Sequence, residues 1–180
     1  MGQALPPANT DRLRPQHCFT EIVQSEDSFR AALTPYGRVE RAAEVAFWKN
    51  FGAFLAKTKI TNALLTHLSM PSAWEKFVPT VKNLAAEPTW RNFGNLIESC
   101  GMKLGFATPL TFLSFYDPKN FPMVDKRIGK WWSKRFPGEP QFTWNGEVIS
   151  PSKQSWAAYL AWTAFCRRQA SQLSTMSGTP

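Results

Sequence analysis

The sequence contains few of the residues that metal and redox sites need. Its 180 residues include two histidines and three widely separated cysteines, Cys18, Cys100 and Cys166, with no CxxC spacing. A zinc site or an iron–sulfur ligand set therefore has too few ligands. We expect neither a metal nor another cofactor. Unpaired thiols are typical of a reducing compartment, so the sequence predicts a cytoplasmic protein.

Long apolar runs are also missing. No run approaches the roughly 20 residues that a membrane-spanning helix needs, and the N-terminal region lacks the apolar core of a signal peptide. Pro6 occupies the position at which an N-myristoylation motif has serine or threonine. We therefore expect no membrane association.

Positive charge and aromatic side chains are abundant. The formal net charge is +8, and the chain contains 8 Trp and 14 Phe. A field of this sign attracts polyanions, nucleic acids first among them. The aromatic residues suit either a packed core or a surface on which bases stack, and composition leaves both uses open.

Apolar periodicity predicts an all-α protein with one small β-hairpin insert. Helical spacing or capping signals mark residues 38–57, 61–68, 72–86, 88–100, 108–116, 126–135 and 152–173. Pro79 is expected to kink or split the third of these segments. Asn145 and Gly146 predict the turn of a hairpin over residues 141–149.

The chain is long enough for one domain with its own core. We expect a flexible, proline-containing arm over residues 1–18, a single helical domain over 19–173 and a frayed tail over 174–180. Within the domain we distinguish four parts: a helical hairpin at 88–116, an aspartate loop and basic helix at 117–135, the β-hairpin at 141–149 and a last helix at 152–173.

The most distinctive pattern runs from Gly101 to Trp132. A glycine turn at 101–105 leads into an apolar helix, a proline-flanked loop that ends at Asp125, and then a helix rich in lysine, arginine and tryptophan. Aspartate is a favoured N-cap residue, so capping alone accounts for Asp125. The basic residues after it are equally typical of a solvated helix face, and their charge alone assigns no function.

This order of elements resembles the helix-hairpin-helix DNA glycosylase superfamily, which includes endonuclease III-like, adenine and 8-oxoguanine glycosylases. The family hairpin has the form G-[V/I]-G-x-x-x-A, which Gly101, Met102 and Ala107 match. Its aspartate loop ends in Phe-Pro-apolar-apolar-Asp, which residues 121–125 match. The resemblance covers residues 101–135, and the flanking helices agree only in number and apolar pattern.

The resemblance implies that the protein flips a damaged or mispaired base out of double-stranded DNA and hydrolyses its N-glycosidic bond. Asp125 would be the catalytic carboxylate, which stabilises the positive charge on the deoxyribose and activates water. DNA contacts are implied for Gly101, Met102, Lys103, Gly105, Lys126, Arg127 and Lys130. Trp131 and Trp132 are candidates for the base pocket or for stacking, although neighbours on a helix point about 100° apart, so one of them is expected in the core.

Two positions depart from the family pattern. Lys103 replaces the second hairpin glycine, and its side chain is expected to contact a phosphate in place of the backbone. Gly105 stands where bifunctional members carry a lysine nucleophile. Because glycine cannot form a Schiff base, we expect no lyase activity, unless Lys103 substitutes as the amine.

Three functions remain open from the sequence. The first is a monomeric, monofunctional glycosylase, with 8-oxoguanine favoured and adenine or alkylated bases as alternatives; in a bacterium it would be associated with the nucleoid. The second is a helix-hairpin-helix protein that binds the DNA backbone without chemistry. The third is a helical interaction protein whose charge is incidental.

Overall fold

The computed structural model describes residues 26–50 and 54–177, and within these residues the chain forms eight helices and one two-stranded hairpin. The elements are α1 (described over 26–32), α2 (Glu40–Lys49), α3 (Phe54–Leu68), α4 (Pro71–Ala86), α5 (Trp90–Ser99), α6 (Ala107–Tyr116), α7 (Lys126–Arg135), β1 (Trp144–Asn145), β2 (Val148–Ile149) and α8 (Lys153–Ser177). The prediction of an all-α fold with a small β insert is confirmed. None of the described helices is long and apolar enough to cross a membrane.

Helix α6 forms the centre of the core. Every residue from 108 to 115 is buried, and α2 and α4 both pack against the helix. A helix that is apolar on all sides has to be surrounded by other elements. Its two central polar residues are satisfied internally, since the hydroxyl groups of Thr111 and Ser114 donate to the carbonyls of Ala107 and Leu110, at 3.0 and 2.9 Å.

Aromatic rings join the helices around this centre. Phe77 of α4 packs edge-on against Phe112 of α6, with ring centroids 5.2 Å apart. Phe93 of α5 stacks on Trp156 of α8 at 5.0 Å. Such pairs add to the stabilisation from buried area, and much of the aromatic content therefore belongs to the core.

Two predicted helix boundaries are wrong. The expected helix over residues 38–57 ends at Lys49, because Asn50 leaves helical geometry and its side-chain amide donates to the carbonyl of Ala46 at 2.8 Å. The segment 61–68 is the second half of α3 and not a separate helix. Helix α4 is likewise not split at Pro79, which lies on its exposed face.

The C-terminal part of the chain also differs from expectation. Ser152 caps α8 as predicted, with its hydroxyl accepting from the backbone N–H of Ser155 at 3.0 Å. The helix continues to Ser177, so the first four residues of the expected frayed tail are helical. The expected arm over residues 1–18 and residues 178–180 lie outside the described residues.

The β-hairpin is present, but its turn is shifted by one residue. Asn145 pairs with Val148, so the two turn residues are Gly146 and Glu147. Gly146 has a φ of 56° and Glu147 does not have a positive φ. This combination is typical of a type II′ turn, which needs glycine at its first central position, whereas the expected Asn-Gly turn of type I′ needs two positive φ values.

Candidate functional site

Asp125 is the N-cap of α7, as the sequence predicts. Its backbone is extended, with φ −141° and ψ −177°, and its Oδ1 atom accepts hydrogen bonds from the backbone N–H groups of Arg127 and Ile128, both at 2.9 Å. The side chain is half-buried. Among the described residues, Oδ2 has no hydrogen-bond partner. One carboxylate oxygen therefore fixes the helix start, and the other remains open to a further contact.

The loop that leads to Asp125 is held in place by hydrogen bonds to its backbone carbonyl groups. Phe121 and Val124 anchor it in the core. Side chains of α8 bind the backbone between and before these anchors. The three hydrogen bonds are Arg167 Nη2 to Asn120 O at 3.0 Å, Tyr159 OH to Pro122 O at 3.1 Å and Trp162 Nε1 to Met123 O at 3.2 Å. These three contacts fix the path of the loop, and two of them satisfy partly buried carbonyl groups.

Lys49, at the end of α2, holds the next carbonyl. Its Nζ donates to the carbonyl oxygen of Val124 at 3.0 Å. Burial lowers the pKa of Lys49 below its ordinary value, and the negative charge of Asp125 opposes that shift. The ammonium group therefore lies close enough to the carboxylate for the two charges to interact. Sequence reasoning missed Lys49, because nothing in its local pattern links it to a loop 75 residues later.

The turn between α5 and α6 requires glycine at its first position. Gly101 has a φ of 66°, and a Cβ placed there would lie 2.3 Å from the imidazole ring of His67. The ring is itself held in place, since His67 Nε2 bonds to the carbonyl of Ser99 at 3.2 Å. Met102, the next residue, is half-buried against the core. The predicted glycine turn is thus confirmed, whereas its contact with DNA stays a prediction.

The β-hairpin covers the other end of this turn. The backbone N–H of Phe106 donates to Ile149 at 3.3 Å, and a Cβ at Gly105 would meet Val148 at 3.1 Å. Lys103 is exposed and has no hydrogen bond or ion pair with any described residue. A cavity of about 500 Å³ lies along this seam, lined by Ile97, Lys103, Leu104, Gly105, Asn145, Val148, Ile149, Ser150 and Pro151.

The same hairpin packs on α7. Gly129 is buried under it, and a Cβ there would lie 3.0 Å from the ring of Trp144 and 3.1 Å from Ile149. The predicted site residues Lys103 and Gly105, on the helical turn, and those on α7 are therefore joined through one small insert. The sequence predicted the hairpin, with its turn one residue too early, but did not predict that it connects these two parts.

The basic residues of α7 are exposed, and two of them are paired. Lys130 Nζ lies 2.8 Å from Glu147 Oε2, and Lys126 Nζ lies 3.8 Å from the same oxygen. The bond with Lys130, followed by the charge of both lysines, lowers the pKa of Glu147. Arg127 is exposed and forms no ion pair within the described part of the chain. The sequence gave no indication of the pairing with Glu147.

The two neighbouring tryptophans occupy different environments. Trp131 is 46% exposed, and it lines a shallow apolar cavity of about 340 Å³ with Arg127, Ile128 and Trp162. Trp132 is buried, and its Nε1 donates to the carbonyl of Pro140 at 3.0 Å. The candidate role of Trp132 in stacking is therefore wrong, because the side chain is part of the core. Of these two tryptophans, Trp131 is the exposed one, and its contact with a base stays a prediction.

Asp125 lines neither of these cavities. It is also not part of a third cavity of about 480 Å³ near Cys166 and Arg167. Within the described ranges, no group of three or more His, Cys, Asp and Glu side chains could hold a metal ion. The arrangement is thus a carboxylate at the start of a basic helix, near the half-buried Lys49, with the exposed Trp131 further along the same helix.

Comparison with protein-family models, with curated proteins and with solved structures finds no significant match to this chain. The resemblance to the glycosylase superfamily therefore stays a prediction from the sequence of residues 101–135.

Proposed function

We propose that the protein is a monofunctional DNA glycosylase that hydrolyses the N-glycosidic bond of a damaged or mispaired base, with 8-oxoguanine as the first candidate. The observation that carries the proposal is the geometry of Asp125. Its carboxylate is fixed by two backbone N–H groups, its loop is held by four side chains, and its Oδ2 has no partner among the described residues.

The chemistry needs such a group. Cleavage of an N-glycosidic bond develops positive charge on the deoxyribose, and a fixed carboxylate beside the sugar stabilises that charge more than it stabilises the neutral substrate. The same carboxylate orients and activates the attacking water. Asp125 performs both roles in this proposal. Trp131 provides an exposed aromatic face for a base that has left the duplex.

The proposed partner is double-stranded DNA, bound by a monomer in the cytoplasm or at a bacterial nucleoid. Helix α7 has five basic residues and no acidic residue, and Lys103 projects from the helical turn. These cations suit the phosphate backbone. No Schiff-base step is proposed, since Gly105 has no amine and the hairpin residue Val148 lies against it.

A second candidate is a helix-hairpin-helix protein that binds DNA without chemistry. The observation in its favour is that the capping bonds already account for Asp125, and that none of the three cavities described above includes it. This candidate keeps the basic face and the glycine turn but assigns no reaction to the carboxylate.

An excision assay separates the two candidates. The protein is incubated with duplexes that carry 8-oxoguanine, an adenine mispair or an alkylated base, and abasic sites are then cleaved with alkali. We expect release of one of these bases, and a loss of at least about 100-fold in the Asp125→Asn variant. Asparagine is as good an N-cap as aspartate, so this variant should fold and still bind DNA.

The matched control is Asp117→Asn. Asp117 begins the same loop, and its carboxylate accepts hydrogen bonds from the backbone and side chain of Asn120. Because Asp117 has no role in the proposed reaction, removal of its negative charge should leave excision unchanged. Binding of duplex without release of any base would favour the second candidate. Absence of duplex binding near 50 mM salt, roughly the condition under which phosphate contacts are strong, would exclude both.

A further inference from the structure

Two lysines of α7 converge on one carboxylate of the β-hairpin. Lys130 Nζ contacts both oxygens of Glu147, at 2.8 and 3.0 Å, and Lys126 Nζ lies 3.8 Å from Oε2. Lys126 and Lys130 are four residues apart on the helix and therefore share a face. The pair of ammonium groups thus forms a cradle for a single anionic group with two accessible oxygens.

The position of Glu147 is set by the fold. It is the second turn residue of the hairpin, directly after Gly146. Behind it, Ile149 is buried, and both Ile149 and Trp144 pack on Gly129 of α7. The hairpin is therefore anchored against α7, and its turn holds Glu147 beside the two lysines.

The contact itself is open to competition. All three side chains are more than half exposed, at 58% for Lys126, 56% for Lys130 and 66% for Glu147. Exposed ion pairs contribute little net stability and are screened by salt. A phosphate group offers the same charge with more acceptor oxygens, and lysine is a common phosphate ligand. A phosphate can therefore replace the Glu147 carboxylate while the hairpin stays in place.

The surrounding charge favours a polymer over a free anion. Helix α7 contains no acidic residue, and Arg127, Lys134 and Arg135 are also exposed on it. Glu147 is the one acidic residue that forms an ion pair with α7 in the described part of the chain. A duplex backbone, which presents several phosphates at once, can contact more of these cations than a single phosphate ion, which can engage only the lysine pair.

We propose that Glu147 occupies the place of a DNA phosphate on Lys126 and Lys130, and that the duplex backbone displaces it on binding. The inference deepens the proposed function, since it assumes that this face of α7 meets DNA. Glu147 then acts as an internal competitor. Glu147 lowers the affinity for every duplex by one common factor, whatever the DNA sequence. It therefore prevents the two lysines from binding nonspecific DNA tightly.

The test is duplex binding by the full chain, measured by fluorescence anisotropy between about 50 and 200 mM salt, the range over which phosphate contacts weaken most. We expect Glu147→Gln to bind roughly threefold to tenfold more tightly at the lower salt concentration. The plot of log affinity against log salt should steepen by about 1 unit, as expected for one additional uncompensated charge. The matched control is Glu75→Gln, which removes an exposed carboxylate of α4 that forms no ion pair with a described residue.

A double variant shows whether the effect is local. With Lys126→Gln and Lys130→Gln together, the added change Glu147→Gln should have no more effect than Glu75→Gln. An equal gain in Glu75→Gln, or a full gain without the two lysines, would mean that only net charge matters and would overturn the inference. A gain for heparin but not for duplex would also overturn it, because the site would then be a general anion site.

Failure of the inference is distinguishable from failure of the proposed function. If the wild-type protein binds duplex and releases a base, but Glu147→Gln leaves affinity and salt dependence unchanged, the inference alone fails. If the wild-type protein does not bind duplex at about 50 mM salt, the proposed function fails and the inference fails with it.

Discussion

Lys49 on α2 donates a hydrogen bond of 3.0 Å to the carbonyl of Val124, the residue directly before Asp125. The ammonium group therefore holds the backbone at the point where the loop becomes a helix. It also lies near the carboxylate, whose charge favours the protonated lysine against the effect of burial. A single side chain from a distant helix thus fixes the backbone next to the candidate catalytic residue, and the charge of that residue acts on the pKa of the lysine.

Substitution of Lys49 should destabilise the protein. Lys49→Met keeps most of the apolar stem but leaves the Val124 carbonyl without its donor. We expect a loss of about 1–3 kcal/mol in the free energy of unfolding, measured in urea. Lys59 is an exposed lysine of α3 with no polar contact to a described residue, and Lys59→Met should remain within about 0.5 kcal/mol of the wild type. Equal stability of the two variants would contradict the role assigned to Lys49.

The same variant predicts a dependence on pH. The pKa of Lys49 is lowered in the folded state, so between the folded and unfolded pKa values the unfolded chain binds more protons. The contribution of Lys49 to the free energy of unfolding therefore rises as the pH increases from its folded-state pKa towards 10.5. The difference in unfolding free energy between wild type and Lys49→Met should increase there. A difference that stays constant from pH 7 to the alkaline range would show that the amine does not titrate abnormally.

Two glycines on adjacent segments should respond in opposite ways to alanine. At Gly101, φ is positive and the new Cβ would overlap the His67 ring, so we expect a loss of about 1–3 kcal/mol or more. At Gly94, inside α5, no atom lies within 4 Å of the new Cβ. Because alanine is the better helix former, Gly94→Ala should stabilise the protein by about 0.5–1 kcal/mol. Thermal unfolding of both variants measures the contrast.

Substitutions of Trp131 and Trp132 should affect different properties, because Trp131 is exposed and Trp132 is buried. Trp132→Ala empties a core position and should cost about 3–5 kcal/mol in unfolding free energy. Trp131→Ala removes a half-exposed ring, so its effect on stability should be much smaller. Under the proposed function it should weaken binding to lesion-containing duplex by about tenfold, the scale of one base–aromatic contact. If Trp131→Ala binds the lesion duplex like the wild type, the ring has no stacking role.

The thiols of the folded domain should react slowly. Burial raises the pKa of Cys100 to about 12 and that of Cys166 to about 11, and the thiolate is the reactive form. In a Cys18→Ser variant, which removes the cysteine outside the described residues, we expect iodoacetamide to modify little of the native protein at pH 8. Modification should become rapid in urea. Rapid labelling of Cys166 in the native state would contradict the raised pKa that follows from its burial.

The local features of the site could be predicted from the sequence. Asp125 caps α7 because aspartate followed by a helical pattern is a local signal. Gly101 forms the turn because glycine adopts a positive φ without a steric cost. The distant contacts could not be predicted. Lys49 and Glu147 are ordinary charged residues in their own segments. They acquire their partners only when α2 meets the loop before α7 and the β-hairpin packs against α7.

Three predictions about individual elements and residues were wrong, and each depended on a contact that the sequence pattern does not specify. The α2 boundary depends on a side-chain bond of Asn50, which competes with a continuing apolar pattern. The hairpin turn depends on which pair of residues the strands bring together, and the Asn-Gly signal does not fix that register. Adjacent Trp131 and Trp132 were both reasonable site residues until the packing of α7 buried one of them.

Three of the four hydrogen bonds that hold the approach to Asp125 come from α8, which follows it in the chain. During synthesis, the aspartate segment and the helices on either side of it are made before Tyr159, Trp162 and Arg167. The loop before Asp125 therefore acquires its full set of hydrogen bonds only when α8 docks. A fragment that ends after the β-hairpin would contain all of residues 101–135. It would lack the three hydrogen bonds from α8 that hold the loop before Asp125.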